Sequence, residues 1–251
     1  MIGAVAVAVT ALALGLAWFL FLRDTAEPVT VDEAVTSFRT DTEPTPGAPS
    51  PILEGVYVYA TVGYEKTDAL TGVRHRYPKR STITVRAADC GVSLLWRVLD
   101  GRSTEWIYCV APSGWELRSQ DERHTFFGRT ERTTYMCENT PIRPLPTVVG
   151  LRWPVACRTD GASESGTARV VRKEGWSLVG GPSLTRVLVR KVTRFTGEIR
   201  GTSRHDLWFD VKSGVPETMV MVSHTTNDSR VGDVHYDEVV TLFLTSLTPR
   251  R

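Results

Sequence analysis

The stretch LTRVLVRKVTRFTGEIRGTSRHDLWFDVKSGVPETMVMVSHTTNDSRVGDVHYDEVVTLFLTSL, residues 184–247, decides the fold class. Apolar and polar side chains alternate through four long runs: Leu184–Thr196, Gly197–Phe209, Glu217–Thr226 and Val234–Leu247. A period of two predicts strands with one face buried. Ser213-Gly214 and Arg230-Val231-Gly232-Asp233 supply turns between them. Strands this long twist strongly, and a sheet of them curls. The expectation is a mainly β fold built on a curved antiparallel sheet or half-barrel.

Upstream the same rhythm recurs. Val56, Val58 and Ala60 alternate with Tyr57, Tyr59 and Thr61, and further runs cover 81–86, 92–99, 104–110, 115–126 and 133–136. Asp100-Gly101 is a hairpin turn signal, because Gly takes positive φ at no steric cost. Residues 138–150 (ENTPIRPLPTVVG) are Pro-rich and break the rhythm, and Ala168–Arg172 resumes it. We therefore read 53–251 as one β domain with sub-blocks 53–137 and 151–248.

The N-terminal part is of a different kind. Residues 2–22 (IGAVAVAVTALALGLAWFLFL) are uncharged and span about 30 Å as a helix, the thickness of a bilayer core. Residues 1–23 are expected to be a transmembrane signal anchor. A cleaved signal peptide is the competing reading, with Asp24-Thr25-Ala26 as its best cleavage site. In residues 24–52, Thr30 and Glu33 have capping-box spacing, and Val31, Val35 and Phe38 share a helical face. This predicts a short juxtamembrane helix, followed by a Pro-rich linker over 40–51.

Four cysteines, Cys90, Cys109, Cys137 and Cys157, lie in the β region with no CxxC pair. An even count behind an export segment predicts two disulfides, paired locally as Cys90–Cys109 and Cys137–Cys157. No Lys or Arg side chain precedes the apolar run and Arg23 follows it, so the charge rule does not fix orientation. The cysteines do, and they place the C-terminal domain outside the cytoplasm on a single-pass cell-membrane anchor. The net charge is +2 with signs mixed along the chain, which argues against a nucleic-acid partner.

The run from Asp206 through Trp208, Phe209, Asp210 and Gly214 to Pro216 resembles the half-barrel lipoprotein carriers, LolA-like carriers and LppX-like mycobacterial lipoproteins among them. That resemblance implies an apolar lipid-binding hollow. The first block, with EGVYVYATVGYE over 54–65 and Arg76-Tyr77-Pro78, resembles an uncharacterised family of actinobacterial membrane-anchored proteins. No cysteine follows the apolar run, a departure from the lipoproteins that puts shuttling in doubt.

Catalytic patterns are weak. His205 and Asp206 are adjacent on a strand and so face opposite ways. There is no G-x-S-x-G elbow, phosphate loop or dinucleotide fingerprint. His224, His235 and Asp237 could share a sheet face, which an exposed polar surface explains equally well. No enzyme, cofactor or metal is expected. The expectation is an anchored binding module for a lipid or other apolar ligand. Its cavity would be lined by Trp208 or Phe209 and covered by Ile142, Leu145, Val148 and Val149. The alternative is an envelope interaction or structural protein with a solid β core and a protein partner.

Overall fold

The computed structural model describes residues 26–41, 52–69, 72–112, 114–138, 140–144, 147–177, 183–229 and 232–251. The predicted membrane anchor, most of the Pro-rich linker and Leu145 lie outside the described residues. Among the described residues no helix is long and apolar enough to cross a membrane.

The chain is mainly β. Among the described residues one helix, α1 (Val31–Thr40), precedes fourteen strands. They are β1 (Gly55–Thr67), β2 (Val73–Arg76), β3 (Arg80–Ala88), β4 (Gly91–Leu99), β5 (Arg102–Ala111), β6 (Gly114–Phe126) and β7 (Arg129–Cys137). Then come β8 (Pro141–Pro144), β9 (Arg152–Arg158), β10 (Ala162–Ser177), β11 (Ser183–Gly197), β12 (Ile199–Asp210), β13 (Pro216–Asn227) and β14 (Val234–Leu244).

The predicted curl goes to completion. β1 pairs antiparallel with β14, from Tyr59 opposite Leu244 to Thr67 opposite Tyr236. The result is a closed 12-strand antiparallel barrel rather than a half-barrel. Both sub-blocks contribute to the one wall, and β2 and β8 are short additions along β1 and β6. Inward-facing glycines permit the bending. At Gly201 (φ 144°) a Cβ would sit 2.1 Å from the His224 carbonyl oxygen, and at Gly63 it would sit 2.2 Å from that of Val239. Only a residue without a side chain lets adjacent strands approach so closely.

Alternation then divides the side chains. Tyr57, Tyr59, Ile83, Leu94, Trp96 and Leu242 pack one half of the interior as a fully buried core. Trp106, Trp115 and Trp153 join that core. Helix α1 packs outside the barrel, with Ala34, Val35 and Phe38 against Val56. Its capping box forms as the sequence predicts. The Glu33 amide donates to the Thr30 hydroxyl, and the Thr30 amide donates to the Glu33 carboxylate at 2.7 Å.

Both predicted disulfides form. Cys90–Cys109 ties the β3–β4 turn to β5, and Cys137–Cys157 crosses from β7 to β9. The second sits where the wall is thinnest, since β7 and β9 share only the pairs Met136–Arg158 and Cys137–Cys157.

Candidate ligand cavity

The other half of the barrel is hollow. A cavity of about 480 Å³ opens between the ends of β6, β7, β12, β13 and β14. Part of its lining is apolar and aromatic, with Phe126 and Phe127 at the β6–β7 turn and Trp106, Phe195 and Met221 along the strands. Phe127 has φ 52°, a left-handed conformation uncommon outside glycine. It forms the β6–β7 turn with Gly128 and puts two phenylalanines at the mouth.

The rest of the lining is polar, and it is organised around two ion clusters. In the first, Arg102 is buried and donates to both carboxylate oxygens of Glu238, at 3.1 Å from Nε to Oε1 and 2.9 Å from Nη2 to Oε2. Tyr77 also donates to Glu238. Glu65 lies beside them, 2.9 Å from His75 Nδ1 and 3.3 Å from His124 Nδ1, and accepts from Tyr236 at 3.1 Å. The other nitrogen of His124 is 3.6 Å from Glu122. Gln120 links this cluster to the aromatic wall, accepting from Trp106 and donating to Glu122.

The charges support one another. Burial pushes the Glu65 carboxyl up, but hydrogen bonds from His124 and His75 and the Arg102 charge more than offset it, leaving it at about 2. Burial is likewise outweighed at Glu122, chiefly by His124, and it too falls to about 2. Burial and Arg102 push His124 down, yet Glu122 and Glu65 together raise it above the ordinary imidazole value. The two carboxylates thus favour the charged form of His124.

The second cluster lies on β10–β12. Lys191 Nζ donates to Glu164 at 2.9 Å and the Thr193 hydroxyl donates at 2.7 Å. Burial raises the Glu164 carboxyl, but Lys191 and Thr193 bring it below its ordinary value. His205 faces the same space and is a different kind of group. Burial first, then the Lys191 charge, depress it to about 3, so the ring is neutral. It makes no hydrogen bond to another described residue, which leaves one N–H and one lone pair for a ligand.

Sequence reasoning placed the cavity lining elsewhere. Trp208 faces outward, with Arg186 4.2 Å and Arg172 4.8 Å from its ring centroid. Phe209 faces inward as its alternate but lies in the packed half, away from the hollow. Val148 and Val149 are exposed, at 54% and 55%, and cover nothing. Ile142 alone of the described cover residues is buried, within the core. A strand too short to span the barrel cannot lid it, and β8 and β9 serve as wall instead. The aromatic lining comes from Trp106, Phe126, Phe127 and Phe195.

The remaining histidines are accounted for at the surface. His224 contacts Asp237 at 2.7 Å, and His235 contacts Thr226 at 2.9 Å. Among the described residues no cluster is arranged to hold a metal ion. No family model matches the chain, and neither a curated protein nor a solved structure matches it.

Proposed function

We propose that the protein is a non-catalytic binding module, held outside the cytoplasm, whose barrel takes up one small amphipathic molecule. The carrying observation is the cavity: a lining that combines aromatic side chains with fixed hydrogen-bonding groups, within the size range of small-molecule sites. An apolar portion would lie against Phe126, Phe127, Phe195 and Met221. A polar end would meet His205, Ser203 and Glu122. A purely apolar ligand would leave the His205 ring without a hydrogen-bond partner, at a cost of about 1–3 kcal/mol for each hydrogen bond to water that is lost. This narrows the expectation of a lipid or other apolar ligand to an amphiphile. The carrier resemblance and the two disulfides favour the same reading, as does the apolar segment 2–22.

The test is native mass spectrometry of the purified protein, with solvent extraction of whatever it carries, and titration with the neutral fluorescent amphiphile N-phenyl-1-naphthylamine. Binding at one site per chain is expected, lost in Met221→Trp, which fills the hollow. An empty protein that leaves the probe dark in the wild type overturns the proposal.

A further inference from the structure

The outer wall beside the cavity mouth is unlike the rest of the surface. Across β13, β14 and β1 the outward positions line up in register. Tyr64 stands opposite Val239, itself opposite Val222, and in the next rows Val62, Thr241 and Val220 align and Phe243 follows. Val62 is 69% exposed and Phe243 49%, and the others are half-exposed. Three adjacent strands thus present one apolar face to solvent. Contiguous patches of this kind mark interaction sites rather than ordinary surface.

Its border supplies the second observation. Arg76 pairs across β2 with Tyr64, Arg74 with Lys66, and Arg80 across β3 with Ala60. Lys66, Arg74, Arg76, Lys79 and Arg80 are all exposed. Arg74 lies 3.6 Å over the Tyr64 ring. Among the described residues none of these five cations is ion-paired, whereas Asp237, the acid nearest Lys66 in register, is engaged by His224. On β11 and β12 several arginines are instead paired, Arg190 and Arg204 with Asp206 and Arg186 with Glu174, and what sets the present face apart is that its cations border an exposed apolar stripe.

We propose that this face docks on an anionic phospholipid surface, with Val62, Tyr64 and Phe243 in the headgroup layer and the five cations on lipid phosphates. Apolar side chains flanked by unpaired basic residues are the chemistry of peripheral membrane attachment. The attachment is superficial, because the barrel wall carries Arg169, Arg190 and Asp206 midway along β10–β12, positions that a bilayer-spanning wall keeps apolar. Docking on this side sets the cavity mouth, near Thr67 and Tyr236, close to the headgroups, where an amphiphile is found.

Lysine labelling tests this on the full chain. Lys66 and Lys79 lie on the proposed face, Lys173 and Lys212 are exposed on other faces, and Lys191 is buried. The chain is mixed with nanodiscs of phosphatidylcholine alone or with one-third phosphatidylglycerol, and acetylated by an amine reagent. In anionic discs Lys66 and Lys79 should react roughly fivefold more slowly, with protection lost at 0.5 M salt, where screening is strong. Lys173 and Lys212 should not change. The triple variant Arg74→Gln/Arg76→Gln/Arg80→Gln should restore labelling of both lysines. Equal labelling in the two disc types overturns the proposal. Protection that persists in both disc types and in detergent also overturns it, by pointing to a second copy or to residues 1–25 as the cover. Neither outcome bears on the cavity, whose test uses soluble probe.

Discussion

His205 and Asp206 are consecutive in the chain and sit on opposite sides of one wall: the imidazole faces the cavity, and the carboxylate grips Arg190 outside at 2.6 and 2.8 Å. The inner group hydrogen-bonds to no other described side chain, and the outer one is held in an ion pair. His205→Leu should therefore change unfolding free energy by less than about 1 kcal/mol, because it removes no side-chain hydrogen bond to a described residue. It should weaken amphiphile binding by about tenfold. Urea melts and probe titration on the same sample check both halves. A large stability loss with binding intact would assign His205 a structural role.

Lys191 and Glu164 pose the opposite case, a buried pair at 2.9 Å. Lys191→Met leaves the carboxylate buried without its cation and should cost about 3–5 kcal/mol. The double variant Glu164→Leu/Lys191→Met should recover most of that loss. Failure to recover would mean that the pair does more than satisfy itself.

Glu217 is fully buried at the register shift between β12 and β13, and neither carboxyl oxygen is hydrogen-bonded by a described residue. Burial raises it to about 7, against the pull of Arg186 and with a push from Asp210. A carboxyl raised in the folded state stabilises at low pH, and that stability is lost as pH rises from the unfolded value through 7. The loss should be about 3 kcal/mol. Glu217→Gln should flatten this slope when melts are compared between pH 4.5 and 8. Parallel slopes in both proteins would show that Glu217 does not titrate there.

Glu65 and Glu122 have the reverse sign. Both are depressed to about 2, so they stabilise above the ordinary carboxylate range, and this is lost as pH falls through about 2. His124 is raised, so its contribution is present at low pH and lost as pH rises through its folded value. His124→Phe should destabilise the barrel at pH 6 and leave Glu65 titrating nearer its ordinary value, as read by NMR of the side-chain carboxyl carbons.

Each disulfide closes a loop of about 20 residues, which the chain-entropy model values at about 3 kcal/mol. Cys137–Cys157 also spans the thin β7–β9 seam. Replacing Cys137 and Cys157 together by Ala should lower the melting temperature more than replacing Cys90 and Cys109. Equal losses would mean that the Glu138 amide, which donates to the Ala156 carbonyl, and its neighbours hold the seam unaided.

The strands were legible because aromatic and β-branched residues alternate cleanly, as in Val56–Thr61 and Leu184–Thr196. β9 was not, although Trp153, Val155 and Cys157 alternate inward, because Pro154 reads as a break. The polar lining of the cavity was obscured by its chemistry. Glu65, Glu122, Glu164 and Glu238 are charged, and charge in a strand ordinarily signals the outer face. Their parity carried the opposite message: Glu238 is in phase with Val240 and Leu242, and Glu65 with Tyr57 and Tyr59. A charge on the apolar phase was the available clue. Closure of the barrel could not be read locally, since it joins the first long strand to the last.

That join has a kinetic consequence. Tyr59 meets Leu244 across roughly 180 residues, and pairing at such separation must wait for the rest of the sheet. The Val56–Arg250 bridge and the bond from Arg39 to the Arg251 carbonyl belong to the same late event. A chain emerging from its N-terminus first therefore holds β1 with one edge unpaired until β14 arrives, exposing an aggregation-prone template throughout synthesis. The basic strand β2 pairs with Tyr64–Thr67 along the other edge, continuing the line of β3, so it leaves the waiting edge bare.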